Sequence, residues 1–220
     1  MLFLAVSLSF VVDNYRDNYN SSKTSHELAS ELIVDIGLDT LSIHKMKNYC
    51  TNKLHRLDSL YRLIDDDKTV FDDSLIYYYS AHINERPWLE RNSNTFALFT
   101  NVGYLNSFSK EAALALTKYD IGYKKTIVSL ERELGIVNMK IFPLQQHVFH
   151  TEIFQLMIAQ KKILIKPVLR NWNADNRWLY HNYIIELQIE NQHIEDQYNE
   201  LLTIARQTLK LLKQEYPLDK

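Results

Sequence analysis

The chain has 220 residues and a formal net charge of −2, with only 4 Gly, 4 Pro and 1 Cys. Average proteins hold roughly 7% Gly and 5% Pro, so turns are scarce here and long helices are favoured. The charge gives no basic footprint for nucleic acid, and the single cysteine, Cys50, excludes an intrachain disulfide. Hydrophobic residues make up 46% of the chain, which supplies a core and excludes a disordered class.

The first apolar run extends from Leu2 to Val12 and is interrupted only by Ser7 and Ser9. A helix of that length reaches about 17 Å, whereas a bilayer core is about 30 Å thick. We interpret residues 1–12 as the C-terminal part of a membrane-anchor helix whose first half lies upstream. A buried helix end and a signal-peptide core are the alternatives. No Lys or Arg precedes the run, which disfavours the signal peptide.

Residues 13–220 are predicted to form one helical bundle domain that continues directly from the anchor. Behind Ser25, apolar residues recur mostly at steps of three or four, which marks one face of an α-helix. These positions are Leu28, Leu32, Ile36, Ile43, Met46, Cys50, Leu54, Leu57, Leu60 and Ile64. The charged residues of this stretch are expected largely on other faces, and they are Glu31, Asp35, Asp39, Lys45, Lys47 and Lys53. Cys50 is interpreted as a small buried hydrophobe.

Shorter helices are predicted between the chain ends. One extends from about Thr69 to Ile83, and a second ends at Gly103, a residue suited to the C′ position. Ser109 is expected to cap a third. An apolar spacing that runs straight through Pro143 predicts a kinked helix there.

Two stretches near the C-terminal helix are not assigned by pattern. Ile163-Leu164-Ile165 fits helix or strand, and 171–176 is loop-like because it holds three Asn and one Asp.

The last helix shows the clearest pattern, a coiled-coil-like seam with alternating steps of four and three that ends before Pro217. Its positions are Tyr180, Ile184, Leu187, Asn191, Ile194, Tyr198, Leu201, Ala205, Thr208 and Leu212. The sequence therefore predicts an all-α, antiparallel helical bundle in which long first and last helices pack together. Asn191 either fixes the register of a buried seam or marks a place where the bundle opens to water.

Two segments resemble motifs of a group of bacterial single-pass membrane proteins classified as a domain of unknown function. One is the Asn-aromatic-basic step Asn14-Tyr15-Arg16, which in that group follows the transmembrane helix. The other is the segment from Thr95 to Leu105, which matches at Thr95, Phe96, Gly103 and Leu105. Phe99 and Val102 replace the Leu and Ser of the group, so a role for that hydroxyl is not carried over. The resemblance implies a single membrane span and a long helical extracytoplasmic domain, without catalytic residues.

Candidate metal ligands are few. Glu190 and His193 match the Glu-x-x-His step of di-iron bundles, but such a site needs two of these steps and two further glutamates. We interpret both residues as part of a solvated helix face. His147 and His150 lie three residues apart on a predicted helix, and Glu152 follows them. A helical pair of this kind lacks a third ligand, and the His-Glu-x-x-His pattern is absent. We interpret them as surface histidines.

The charged clusters have simpler explanations. Asp65-Asp66-Asp67 and Asp72-Asp73 lack the glycine and the glutamate of a calcium loop, so we interpret them as helix caps. Lys161, Lys162, Lys166 and Arg170 are interpreted as a solvated helix edge. No catalytic, cofactor-binding or metal residue is predicted.

The continuity of anchor and bundle favours a membrane-anchored extracytoplasmic interaction or sensory domain of the bacterial cytoplasmic membrane, with no catalytic activity. Residues Asp13, Arg16 and Asp17 carry no basic excess, which favours the extracytoplasmic side. The expected partners are membrane lipid at the N-terminal apolar stretch and a protein partner or a second copy. The alternative is a metal- or ligand-binding helical-bundle enzyme.

Overall fold

The computed structural model describes residues 2–64, 72–83, 85, 89, 91, 96, 104–159 and 166–217, and only the backbone of 2–14, 17–22, 104 and 106. Its helices are α1 (Leu2–Ile64), α2 (Asp73–His82), a 3-10 helix (Tyr104–Ser107), α3 (Lys110–Ile136), a π-helix (Val137–Ile141), α4 (Phe142–Val148), α5 (Thr151–Ile158) and α6 (Ala174–Glu215). The predicted all-α class, with long first and last helices, is confirmed.

Helix α1 is one helix of 63 residues that includes both the apolar run and the amphipathic stretch behind it. The prediction that these two stretches form a single helix is confirmed. The side chains of Leu2–Val12 lie outside the described residues, so the anchor stays a prediction. Within the part of the chain that the structure describes, no helix is long and apolar enough to cross a membrane.

Two helix starts are capped by residues that the sequence marked as caps, although α2 begins later than predicted. The side chain of Asp72 accepts a hydrogen bond from the backbone N–H of Leu75 at 3.1 Å, so α2 begins at Asp73 rather than at Thr69. Ser109 Oγ accepts from the N–H of Ala112 at 3.0 Å and caps α3, as predicted. The predicted helix ending at Gly103 and the Ile163-Leu164-Ile165 stretch lie outside the described residues.

The chain passes Pro143 on a helical path, as predicted, but the distortion is a π-helix at Val137–Ile141 just before the proline. Proline has no N–H to donate and its ring clashes with the carbonyl of the residue four positions earlier. A wider π-turn relieves that clash while the chain stays helical.

The contacts of the chain form two compact units. Unit 1 contains Met1–Ser42, Glu90–Gly122 and Leu201–Lys220, and unit 2 contains Ile43–Leu89 and Tyr123–Glu200. In unit 2, α6 runs antiparallel to α1 and to α3, so α1 and α3 run in the same direction. The contacts that set these directions are Cys50 with Asn191 and Tyr61 with His181 for α1, and Ser129 with Gln197 and Glu133 with Asn191 for α3.

All ten predicted seam positions of α6 are buried. This confirms the period and the phase of the seam, since an error of one residue would have rotated it by about 100° away from the buried face. In unit 2 the core also contains an aromatic group in which the rings of Tyr77 and Phe149 meet edge to face at 4.7 Å. Phe149 in turn stacks on Phe154 at 5.0 Å.

The Ser109 cap provides a stability test in unit 1. Its hydroxyl also donates to the Glu215 carboxylate of α6, so Ser109→Ala removes two hydrogen bonds. We expect a loss of about 1 kcal/mol in the free energy of unfolding, measured by urea denaturation. Ser59→Ala is the matched control, because among the described residues that hydroxyl bonds the carbonyl of His55 in its own helix, and it should cost less than about 0.5 kcal/mol. Equal losses would contradict the cap.

Candidate functional site

A buried ion pair lies in unit 2. Lys53 of α1 and Glu133 of α3 are 2% and 4% exposed, and Lys53 Nζ lies 2.5 Å from Glu133 Oε1. The expectation that Lys53 would point away from the core is wrong. The physical reason is its spacing, three residues after Cys50 and four before Leu57, which places it on the buried face. That spacing was a usable signal in the sequence.

Asn191 of α6 completes this network. Its Nδ2 donates to Glu133 Oε1 at 3.1 Å and to the carbonyl of Leu187 at 2.8 Å, and the Cys50 thiol donates to the Asn191 carbonyl at 3.2 Å. Asn191 is 2% exposed, so the alternative in which the bundle opens to water at this residue is wrong. The thiol also lies 3.6 Å from Asn191 Oδ1, so the Asn191 side chain contacts both α3 and α1, which is the arrangement that specifies helix register.

A small cavity of about 20 Å³ borders the network. Its lining is Met46, Tyr49, Cys50, Leu130, Glu133, Asn191, Ile194 and Tyr198. That volume holds about one water molecule. A substrate or a lipid tail would fit only if the helices separated.

The Cys50 thiol is expected to be unreactive. Burial, with a further contribution from the nearby Glu133 carboxylate, raises the pKa of Cys50 from 9.0 to about 12. The thiol is therefore protonated at neutral pH and is a poor nucleophile. The interpretation of Cys50 as a small buried residue is confirmed by its 4% exposure.

A second charged network lies in unit 1, around Arg91. Its Nη1 lies 2.7 Å from Asp120 Oδ1, and its Nε lies 3.9 Å from Asp39 Oδ2. Tyr119 donates its hydroxyl to Asp39 Oδ2 at 2.8 Å, and the Arg91 guanidinium lies 3.8 Å over the ring of Phe96. Arg91 thus pairs with two nearly buried carboxylates, and the Tyr119 hydroxyl bonds one of them.

The prediction for Asp39 is wrong in the same way as the prediction for Lys53. Asp39 was expected on another face, yet it is 1% exposed. Asp39 lies three residues after Ile36 and four before Ile43, again on the apolar face of α1. The pairing of Arg91 with Asp39 and Asp120 had no signal in the sequence, because both carboxylates lie far from Arg91 along the chain.

The two residues of the Glu-x-x-His step of α6 differ in exposure: Glu190 is buried and His193 is exposed. Glu190 is 7% exposed, with its Oε2 3.4 Å from Arg132 Nη1, so its interpretation as a solvated residue is wrong. His193 is exposed, as predicted. Over the residues that the structure describes, no three His, Cys, Asp or Glu side chains are grouped to hold a metal ion.

His147 and His150 do not share a helix, contrary to the prediction. Helix α4 ends at Val148, Phe149 is extended, and His150 directly precedes α5. The chain leaves the helix here because the Phe149 ring enters the core, where it is 1% exposed. His150 Nε2 accepts from Arg170 Nε at 2.9 Å, and His147 and Glu152 are exposed.

The remaining predicted positions are structural or undescribed. Asp73 Oδ2 accepts from the N–H of Leu169 at 3.2 Å, and Lys166 and Arg170 are exposed on a non-helical segment rather than on a helix edge. The acidic run 65–67 and the lysines at 161–162 lie outside the described residues.

The residues of the resemblance are described only in part. Tyr15 and Arg16 are exposed on α1. Between Thr95 and Leu105, the side chains of Phe96 and Leu105 are described, and Phe96 is the ring beneath Arg91. Comparisons with protein-family models, with curated proteins and with solved structures find no match.

The unit 2 ion pair gives a strong prediction. Lys53→Met leaves the Glu133 carboxylate buried without its cation, and we expect a loss of roughly 3–5 kcal/mol in the free energy of unfolding. The double variant Lys53→Met/Glu133→Leu removes both charges and should recover most of that loss. A double-mutant cycle in urea measures the coupling.

The matched control for this cycle is the exposed pair Lys125–Glu200, whose side chains are 53% and 58% exposed. Lys125→Met should cost less than about 1 kcal/mol. A double variant at Lys53 and Glu133 as unstable as the single one would show that the loss comes from packing and not from the unpaired carboxylate.

Alkaline pH should destabilise unit 2. Burial raises the pKa of the fully buried Tyr180 from 10.0 to about 12, despite hydrogen bonds from Gln145 and to Ser80 that lower it. Cys50 is shifted in the same direction. Because the unfolded chain loses these protons at lower pH than the folded chain, their stabilisation is complete below pH 9 and falls as the pH rises toward 12.

Urea midpoints measured from neutral to alkaline pH check this expectation. Cys50→Ala removes the thiol contribution and should flatten the first part of the decline, whereas a decline identical to the wild type would contradict it.

Proposed function

We propose that this chain is a membrane-anchored helical interaction or sensory domain that lies outside the cytoplasm of a bacterium and catalyses no reaction. The observation that carries the proposal is the continuity of α1 over Leu2–Ile64. The same helix contains the apolar run and two buried charged residues, Asp39 in unit 1 and Lys53 in unit 2.

This arrangement can convert a movement of the apolar end of α1 into a change of contacts inside both units. Buried charges have few acceptable partners, so a rotation or a shift of the helix breaks a pair or moves it to a new partner as a discrete step. A movement of α1 would therefore change the free energy of the ion pairs at Asp39 and Lys53. That change is large enough to rearrange neighbouring helices and so to alter a binding surface.

Two further features support the tethered location. Tyr15 is 74% exposed only three positions after the apolar run, and exposed aromatic residues suit the membrane–water interface. The similarity of Asn14-Tyr15-Arg16 to the corresponding step of single-pass bacterial proteins points to the same location.

The core of unit 2 leaves little room for a ligand beside its buried ion pair. The cavity beside Glu133 has a volume of about 20 Å³, whereas small-molecule sites have volumes of roughly 300–1,000 Å³. Among the described residues of this network, the polar groups bond one another and leave little room for a ligand.

The anchor is tested by flotation of the full chain with phosphatidylcholine vesicles. A triple variant with Leu4, Val6 and Phe10 changed to Asp should lose flotation, because charges at these positions cannot enter the bilayer core. A control variant with Met139→Asp and Ile189→Asp, which changes two exposed apolar residues, should float like the wild type. Flotation that survives the triple variant would contradict the anchor.

Signal transmission needs an ordered helix between anchor and bundle. Amide hydrogen exchange over residues 13–25 should be slow and even in vesicle-bound protein, as for a stable helix. Fast exchange confined to this stretch would rule out transmission through α1.

A further inference from the structure

Unit 2 has an open pocket of about 490 Å³ beside α5. Small-molecule sites in proteins have volumes of roughly 300–1,000 Å³, so this pocket is large enough for a small organic ligand. The residues that line it are His150, Thr151, Glu152, Ile153, Lys166, Val168 and Arg170. They belong to two short stretches of the chain, the start of α5 and the non-helical segment 166–170.

Tyr77 of α2 connects these two stretches. Its side chain accepts a hydrogen bond from the N–H of His150 at 2.7 Å and donates its hydroxyl to the carbonyl of Val168 at 3.1 Å. The N–H of Arg170 also donates to the carbonyl of Val148 at 2.7 Å. Because Tyr77 is fully buried, the two walls are fixed to the core of unit 2, and the pocket is preformed as ligand sites usually are.

Lys166 and Arg170 supply the positive charge of the pocket, and both are exposed. Arg170 Nε donates to His150 Nε2 at 2.9 Å, which orients the guanidinium. In accepting this bond, His150 Nε2 carries no proton. Within the described ranges of the chain, the two Nη atoms of Arg170 and the Nζ of Lys166 have no other protein partner. The edge formed by two Nη atoms can donate two parallel hydrogen bonds to one carboxylate.

One carboxylate also lines the pocket. Glu152 is exposed and lies between this pocket and an adjoining groove that contains Gln155 and Leu156. Asp73 of α2 does not line the pocket, and its Oδ2 accepts from the N–H of Leu169. Two cations against the single carboxylate leave the lining with one net positive charge. Such a lining attracts a singly charged anion, whereas a second negative charge would be repelled by Glu152.

We propose that this pocket binds a small aliphatic monocarboxylate. The carboxylate accepts hydrogen bonds from Lys166 and from the Nη edge of Arg170, and the aliphatic part lies on Ile153 and Val168. Val168 is 56% exposed, so a ligand can cover apolar surface there and gain affinity from its burial. The site goes beyond the proposed function, because it gives unit 2 a ligand of its own and does not depend on the anchor.

Titration of the full-length protein with isovalerate tests the site, with isovaleramide as a neutral ligand of the same shape. The protein is kept in a neutral detergent at constant ionic strength and followed by two-dimensional NMR of its backbone amides. Isovalerate should shift the signals of residues 150–153 and 168–170 saturably, with a Kd on the order of 1 mM for a ligand of this size. Isovaleramide should bind about tenfold more weakly, because it lacks the charge that the two cations attract.

Substitutions at Arg170 separate the site from general attraction to a cation. Arg170→Met should raise the Kd of isovalerate about tenfold, because it removes the paired donors. Arg170→Lys keeps the charge without the planar fork and should recover only part of that loss. The matched control is Lys45→Met, which removes an exposed cation of unit 2 that does not line the pocket. It should leave the Kd unchanged.

Glu152→Gln tests how the pocket selects charge. Removal of the carboxylate should strengthen isovalerate binding about threefold. Inorganic phosphate, which is doubly charged at mildly alkaline pH, should gain more than isovalerate does, because its second charge no longer meets Glu152. An equal gain for the two ligands would contradict the assigned role of Glu152 and overturn the preference for a single charge.

Three results overturn the site itself. Equal affinity for isovalerate and isovaleramide would show an apolar contact alone, and equal losses in Arg170→Met and Lys45→Met would show general attraction to a cation. Signal shifts that grow linearly with isovalerate concentration, without saturation, would show that no defined site exists. None of these results bears on the anchor, which the flotation experiment tests by itself.

Discussion

A buried lysine paired with a buried glutamate fixes how α1 and α3 align in unit 2. Lys53 and Glu133 are both almost fully removed from water, and each would cost several kcal/mol alone. Sliding α1 by one helical turn would place Tyr49 or Leu57 opposite Glu133 and leave Lys53 without its carboxylate. Apolar contacts tolerate such a slide far better, because one aliphatic residue replaces another.

Unit 1 uses the same device with different residues. Asp39 lies on the apolar face of α1, as Lys53 does, and takes its hydrogen bond from Tyr119 and its charge balance from Arg91. Arg91 also pairs with Asp120 and covers Phe96. A planar guanidinium suits this position because it can bridge two carboxylates and stack on a ring at once. Each unit therefore contains a buried charged residue of α1, Asp39 or Lys53, at a position that an aliphatic residue would normally occupy.

These two buried networks specify how the helices align. The Cys50 thiol lies beside the unit 2 network, but burial keeps it protonated, and the adjoining cavity holds little more than one water. Polar groups that bond one another in a core fix how the surrounding helices align.

The sequence by itself determined the all-α class, the two long helices, the Ser109 cap and the buried seam of α6. Periodicity reports the phase of a helix, and all ten seam positions from Tyr180 to Leu212 are buried as the period requires. The same period contained Asp39 and Lys53, but a charged residue on an apolar face is normally counted as an interruption. Only the tertiary structure shows that each has a partner about 80 residues away. It also decided that Glu190 is buried and that the chain leaves the helix at Phe149, because core packing of one ring outweighs a local helical preference.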